Sequence, residues 1–344
     1  MTDYAKLAEV ARDATRLASR VCREVQSNLD EIRAMTKDDR SPVTVADLAS
    51  QAVIAQQLAD RLGGPDAIKL VGEEDAAALR EEGHSHHLEA ALAAARGVWP
   101  EATAEALLDA IDLGNHDASG GSYWTLDPID GTKGFLRGQQ YAVSLGFIER
   151  GEPVVGSLAC PNLPRDFSKP LDAPDAHGSL YTVIKGDGVE ESACDGPEVA
   201  PTETIKRLDH AEGESVSVCG SVEKAHSSHS DTDRILEWLA GQGVPTAEPA
   251  RLDSQAKYAV VGRGQADAYL RLPTRKGYVE RIWDHAAGAL VATEAGCFVT
   301  DIAGHPLDFG HGAGLEKNRG VVCAPPRLHG LLMKAIETLG IGQD

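Results

Sequence analysis

Asp127-Pro128-Ile129-Asp130-Gly131-Thr132, continued by Lys133-Gly134-Phe135-Leu136-Arg137-Gly138, is the stretch that decides how this chain is read. Two carboxylates three positions apart on a turn, with a glycine and a hydroxyl just beyond, make a seat for hard divalent cations and a phosphate. Mg²⁺ takes oxygen donors and keeps several waters, binding through a few carboxylates together with substrate phosphate. Gly131 removes the Cβ that would hold a phosphate off the backbone, and the N–H groups opening a following helix point towards such an anion. Asp-Pro alone reads as a turn and helix cap. Its neighbours must decide between the two readings.

Working outward, Trp124-Thr125-Leu126 leads into the motif as a strand. Beyond it, Tyr141–Ile148 is strand-like, Glu149-Arg150-Gly151-Glu152-Pro153 is a turn, and Val154–Cys160 returns. A short glycine-containing turn between two such runs predicts a hairpin, so this sheet is expected to be mostly antiparallel, extended by Leu180–Ile184. Upstream, apolar positions at helical spacing from Leu7 to Val25 predict one amphipathic helix from Asp3 to about Leu29. Lys37–Pro42 is polar punctuation before a second helix from Val43 to about Leu62, where Thr44 and Asp47 fit a cap. Ile68-Lys69-Leu70-Val71 reads as a strand ending in the acidic Gly72-Glu73-Glu74-Asp75. The alanine-rich stretch from Ala76 to about Asp117 reads as helical, and its histidines His84, His86 and His87 are expected on the surface.

The polar segment from Glu190 to about Asp209 reads as a passage between two domains, residues 1–205 and 206–344. After it, strand patterns (Ser215–Val218, Ala268–Leu272, Phe298–Asp301, Gly320–Cys323) alternate with helical ones (Asp231–Ala240, Ser254–Val261, Trp283–Ala295, Pro326–Leu339). Alternation of this kind argues for an α/β layer, against the α+β character of the first half. The expected fold is therefore a layered αβαβα sandwich, with a mostly antiparallel N-terminal sheet and a smaller C-terminal α/β layer.

At 344 residues, two domains sharing a cleft are the default. The formal net charge of −20, without a lysine or arginine stripe, argues against a nucleic-acid polymer as partner. A small anion can still bind if cations mediate, since unit charges ~4 Å apart interact by about 4 kcal/mol at an effective dielectric of 20. No apolar run approaches the ~18 residues of a membrane span, and the first residues resemble neither a signal nor a transit peptide. A soluble, cytoplasmic monomer is expected. Six cysteines without a Cys-x-x-Cys pair argue for reduced thiols and against zinc.

Familiar nucleotide signatures are absent: no Gly-Lys dipeptide, no complete dinucleotide glycine fingerprint and no Gly-x-Ser-x-Gly elbow. What remains is an acid set, Asp47, Glu73, Asp127, Asp130 and Asp284, the last in Trp283-Asp284-His285-Ala286-Ala287-Gly288. Asp284 is expected to open a helix whose small residues let it approach another layer. Converging, these acids would cage two or three Mg²⁺ ions for in-line phosphoryl displacement. Spacing alone does not establish convergence.

Val71-Gly72-Glu73-Glu74, the Asp127–Thr132 motif and Trp283–Gly288, in this order, resemble the metal-dependent, lithium-sensitive phosphatase superfamily that includes inositol monophosphatase and fructose-1,6-bisphosphatase. Within it, Ser41–Asp47, Lys133–Gly138, Val222–His229 and Asp253–Tyr258 are similar to the 3'(2'),5'-bisphosphate nucleotidases. The resemblance spans nearly the whole chain. It implies Mg²⁺ ligation by Glu73, Asp127, Asp130, Asp284 and the Ile129 carbonyl, and preparation of the attacking water by Asp47 and Thr132. It also implies substrate contacts at Gly131, Thr132, His226, Ser254, Lys257, Arg271 and Asp284. The implied reaction is hydrolysis of the 3'-phosphate of adenosine 3',5'-bisphosphate to AMP, with the 5'-phosphosulfate as a further substrate. An inositol polyphosphate phosphatase on the same fold and a non-catalytic nucleotide sensor are the alternatives.

Overall fold

The computed structural model describes residues 2–36, 41–80, 85–171, 174–196, 202–223 and 227–342. The expected punctuation at Lys37–Arg40 and the expected surface residue His84 lie outside the described residues.

The chain opens with helix α1 (Tyr4–Ser27), capped by the Asp3 side chain accepting from the Lys6 N–H at 3.1 Å. It buries one stripe, Val10, Ala14, Ala18, Val21 and Val25 among others. A separate short helix α2 (Leu29–Thr36) follows, then α3 (Ser41–Leu62). Because α3 begins earlier than the Val43 start read from the sequence, Asp47 is not a capping residue: it sits inside the helix and is buried. Strand β1 (Leu70–Gly72) leads to α4 (Ser85–Arg96), in whose first turn His86 is exposed as expected while His87 is half-buried, and α5 (Ala104–Asp112).

The strand expected before the central motif continues through it as β2 (Ser122–Asp130). After the five-residue α6 (Thr132–Leu136) come β3 (Ala142–Glu149) and β4 (Glu152–Cys160), the expected hairpin, and β5 (Ser179–Ile184). β6 (Gly188–Ser192) and β7 (Glu203–Ile205) then occupy part of what the sequence reading took for an irregular passage. The second half contributes β8 (Val218–Gly220), α7 (His229–Gly241), β9 (Ala250–Arg251), α8 (Ala256–Gly262), β10 (Ala268–Arg271), α9 (Ala286–Ala295), β11 (Phe298–Thr300), β12 (Val321–Ala324) and α10 (Pro326–Leu339).

β1 to β7 form a seven-stranded sheet in sequential order, antiparallel except for the parallel β1–β2 pair. The second sheet has five mixed strands in the order β11-β12-β10-β8-β9. α1 and α3 pack on one face of the first sheet, and α8 and α9 fill the space between the sheets. α7 and α10 cover the outer face of the second. All six cysteines are buried and unpaired, distributed through these layers.

α9 reaches the first sheet closely because both surfaces lack bulk, as its small residues predicted. A Cβ added at Gly146 of β3 would stand 3.1 Å from the Ala286 Cβ, and one at Gly156 of β4 would stand 3.3 Å from the Ala287 Cα. On its other side, a Cβ at Gly288 would meet the Tyr258 ring at 2.4 Å. Gly288→Ala is therefore expected to destabilise the protein by about 1–3 kcal/mol through overpacking and, by tilting α9, to lower turnover as well. Urea denaturation and steady-state kinetics on one preparation check both effects; unchanged stability would contradict this packing.

Candidate active site

Backbone pairing brings the first acids together. In the parallel pair, Gly72 lies opposite Leu126, and the Glu73 N–H donates to the Leu126 carbonyl at 3.1 Å, so Glu73 emerges beside Asp127. The β2–β3 register then shifts between Asp127 and Asp130, where Pro128 has no N–H to give the ladder. Gly131 follows with φ +91°, a conformation that favours glycine, and a Cβ there would stand 3.0 Å from the Ser254 Cβ. The glycine is thus required by the turn and by the approach of the Asp253-Ser254 loop, a reason the sequence reading had not found.

These elements line a cavity of about 460 Å³. One wall carries Glu73, Asp127, Ile129, Asp130, Gly131 and Thr132; the other carries Ser254, Lys257, Tyr269, Arg271, Tyr278 and Asp284. Asp47 lies deeper, on α3, facing Glu74 and Glu73. Gln51, one turn along α3, holds the acidic loop by donating to the Glu74 carbonyl at 2.6 Å and accepting from the Glu74 N–H at 3.2 Å. The predicted adenine contact His226 lies outside the described residues.

Asp284 is not the start of α9, as the sequence suggested, but the last residue of a single 3₁₀ turn, Ile282–Asp284, just before it. Gln255 fixes that turn: its side chain donates to the Trp283 carbonyl at 2.8 Å and accepts from the Gly288 N–H and the Ser144 hydroxyl, each at 3.1 Å. Its own N–H donates to Asp130 at 2.5 Å. Gln51 and Gln255 were both missed by sequence reasoning, since an interior amide carries no signal of which carbonyl it will meet.

The two expected cations already have protein partners. The Lys257 ammonium is buried, donating to the carbonyls of Ser254 at 2.6 Å and Leu252 at 3.3 Å and lying 5.2 Å from the Tyr269 ring centroid. Burial lowers its pKa, against the pull of Asp130 and Asp253. Ser254 has φ +69° and its hydroxyl accepts from the Ala256 N–H at 3.2 Å. Arg271 forks onto Glu280, at 2.8 and 2.5 Å, and stands 3.7 Å from Asp284. Burial pushes the Glu280 carboxyl up, but the hydrogen bond from His285 and the guanidinium hold it at about 2. Tyr258 in turn lies 2.8 Å from the other His285 ring nitrogen. At the rim, Lys133 and Arg137 reach across to Glu223 at 2.7 and 3.1 Å, and Arg137 also bonds Asp253.

Burial and mutual repulsion act together on the acids. Asp127 is pushed well above the usual carboxylate range by desolvation and then by Glu73, Asp130 and Asp284, and its Oδ1 is buried without a hydrogen-bond partner. Burial raises Asp47 strongly, with Glu74 and Glu73 adding to it. Glu74 is raised to about 7 by burial and then by Glu73 and Asp75, and Asp284 to about 8 by burial, with Arg271 pulling it back and Asp130 and Glu73 adding to the rise. A wall of oxygen donors that repel one another, one of them orphaned, fits hard cations such as Mg²⁺. Among the described residues, the set whose ligand atoms lie within 4.8 Å of one another is Glu280, Asp284 and His285. Glu280 in that set is already engaged by Arg271 and His285, so it serves to anchor the arginine.

The sequence profile of the inositol monophosphatase family matches residues 3–340. The chain belongs to that family. Among curated relatives, it is 42% identical over 348 residues to the 3'(2'),5'-bisphosphate nucleotidase 1 of Arabidopsis thaliana, covering 97% of this chain and 96% of that protein. It is 38% identical over 340 residues to the 3'(2'),5'-bisphosphate nucleotidase of Schizosaccharomyces pombe, with 95% and 91% covered. Solved structures with the same fold include SuhB of Mycobacterium tuberculosis, with TM-score 0.60, 20% identity and 98% of each chain covered. CysQ of Bacteroides thetaiotaomicron also has TM-score 0.60, at 19% identity, with 92% of this chain and 96% of that one covered. The layered sandwich read from the sequence is the family's fold. Among the described residues, no helix is long and apolar enough to cross a membrane.

The acid wall sets a pH dependence on the metal-free protein. Glu74 and Asp284 ionise near 4 in the unfolded chain but near 7 and 8 when folded, so the folded state binds more protons between these limits. Their contribution is therefore greatest on the acid side and is lost as pH rises towards 8. Urea midpoints of the chelated protein are expected to fall between about pH 5 and about pH 8, and added Mg²⁺ to flatten that slope. A midpoint that rises with pH without metal would contradict this electrostatic description.

Proposed function

We propose that the chain is a Mg²⁺-dependent 3'(2'),5'-bisphosphate nucleotidase, removing the 3'-phosphate of adenosine 3',5'-bisphosphate to give AMP and phosphate, and accepting the 5'-phosphosulfate as well. The observation that carries this reading is the two-sided cavity: acids that demand cations on one wall, and Lys257 and Arg271 beside two tyrosines on the other. A substrate with one phosphate to hydrolyse and a second to hold suits such a division, and the nucleotidases quoted above are similar along nearly the whole chain. The same reading takes residues 1–205 and 206–344 as two domains with the site in the cleft between them, acting as a cytoplasmic monomer.

In this assignment Glu73, Asp127, Asp130, Asp284 and the Ile129 carbonyl hold two to three ions. Mg²⁺ in that cage would neutralise the reacting phosphate and acidify the attacking water. Asp47 and Thr132 orient and deprotonate that water, the threonine hydroxyl donating to the carboxylate while accepting from the water. Burial, with Glu74 and Glu73 adding to it, raises the Asp47 carboxyl and so makes it a stronger proton acceptor than a free carboxylate. Gly131 keeps side-chain bulk away from the phosphate. Ser254 and Lys257 hold the loop against which the nucleotide rests, and Arg271, aimed by Glu280, pairs with the non-reacting phosphate. His226 is assigned to the adenine on its ring chemistry.

Phosphate release from adenosine 3',5'-bisphosphate with Mg²⁺ is expected to exceed release from inositol monophosphate; a preference for the inositol ester would overturn the substrate assignment. Asp47→Asn is expected to lower kcat by roughly a hundredfold to ten-thousandfold with the fold retained. Undiminished turnover would remove Asp47 from the mechanism. Lys257→Ala is expected to raise KM for the nucleotide while leaving hydrolysis of inositol phosphates nearly unchanged, and an equal loss on both would return Lys257 to a purely structural role.

A further inference from the structure

Away from the acid-lined cavity, α1 presents Arg12, Arg16 and Arg20, spaced by four residues and therefore on one stripe of the helix. Arg61, in the last turn of α3, joins them. Together they line a cleft of about 480 Å³ whose far side includes Thr182 of β5 and Ser192 of β6. Like charges at this helical spacing cost stability. In a chain with a formal net charge of −20, four guanidinium groups gathered on one cleft call for a reason.

Three of the four have partners. Arg12 donates to Asp13 at 3.1 Å, Arg61 to Glu9 at 2.5 Å and Asp13 at 2.7 Å, and Arg20 lies 3.5 Å from Asp195. These pairs are substantially solvated and weakly held, so their arginines can turn to another anion at little cost. Arg16, at the centre of the stripe, is different. Among the described residues it makes no ion pair or hydrogen bond, and its Nε is buried without a partner. A half-buried guanidinium with an unsatisfied N–H faces a polar cleft lined by the hydroxyls of Thr182, Ser192 and Thr202, although Asp13, Glu190 and Asp195 also border it. The planar fork of Arg16 matches two oxygens of a tetrahedral oxyanion, and a hydroxyl of the lining can donate to a third.

We infer that this cleft between α1, the end of α3 and the β5–β6 strands is a second anion site, built for a small phosphate- or sulfate-bearing molecule with Arg16 as its central contact. It is separate from the acid-lined cavity, and the inference does not rest on the nucleotidase reading.

The test uses inorganic sulfate as the probe, with the full-length Mg²⁺-loaded protein at constant ionic strength in chloride. Binding is followed by calorimetry on the wild type, Arg16→Ala, Arg20→Ala and Asp130→Asn. Loss of a charge-assisted hydrogen bond predicts at least about tenfold weaker sulfate binding in Arg16→Ala, and a smaller weakening in the solvated Arg20→Ala. Sulfate binding at this cleft is expected to persist in Asp130→Asn, and turnover of Arg16→Ala without sulfate to match the wild type. Sulfate affinity unchanged in Arg16→Ala, or lost in Asp130→Asn alone, would assign all binding to the acid-lined cavity and overturn the proposal. Should Arg16→Ala fail to fold, Arg20→Ala with undiminished affinity is the overturning result.

Discussion

Everything in this site depends on holding together carboxylates that repel one another in a low-dielectric cavity. Asp47, Glu73, Asp127, Asp130 and Asp284 come from a helix, a strand end, a register shift and a 3₁₀ turn, so no single element can impose their separation. Two neutral amides supply much of the restraint. Gln51 grips the backbone of the acidic loop through both its donor and its acceptor, and Gln255 ties Asp130 to the turn that carries Asp284. A neutral clamp suits the task, since a cation there would compete with the metal and an acid would add to the repulsion.

The cations follow a complementary rule. Arg271 is forked onto Glu280, while Lys133 and Arg137 meet Glu223 across the rim. Each brings its own counter-charge, so the acids assigned to the ions are left available. Arg271 also stands close enough to Asp284 to favour its ionised form, which offsets part of the desolvation that raises it. The buried His285, between Glu280 and Tyr258, closes this network from behind.

Much of the architecture was legible in the sequence because it rests on patterns that local chemistry writes plainly. Alternating apolar residues around a glycine-containing turn gave the β3–β4 hairpin, and the run of small residues after Asp284 foretold the tight seating of α9. The last two strands of the first sheet, β6 and the edge strand β7, were read as a passage because they are short and rich in glutamate, so their strand character comes from pairing with a sheet already formed. Asp47 was read as part of a cap because capping chemistry is local, whereas its burial against Glu73 and Glu74 is tertiary. The amide clamps were invisible for the same reason. Gly131 was singled out correctly, but for space it gives a ligand rather than for the neighbouring loop it admits.

The six cysteines give this architecture an internal set of witnesses. Cys22 lies in α1, Cys160 in β4, Cys194 just after β6, Cys219 in β8, Cys297 between α9 and β11, and Cys323 in β12. Burial pushes the thiols of Cys22, Cys194 and Cys219 up to about 12, so the reactive thiolate is scarce while the layers stay closed. Alkylation of each sulfur therefore reports the opening of its own layer. A single native chain can show, position by position, whether the seven-stranded sheet and the five-stranded sheet behind it come apart together or in turn.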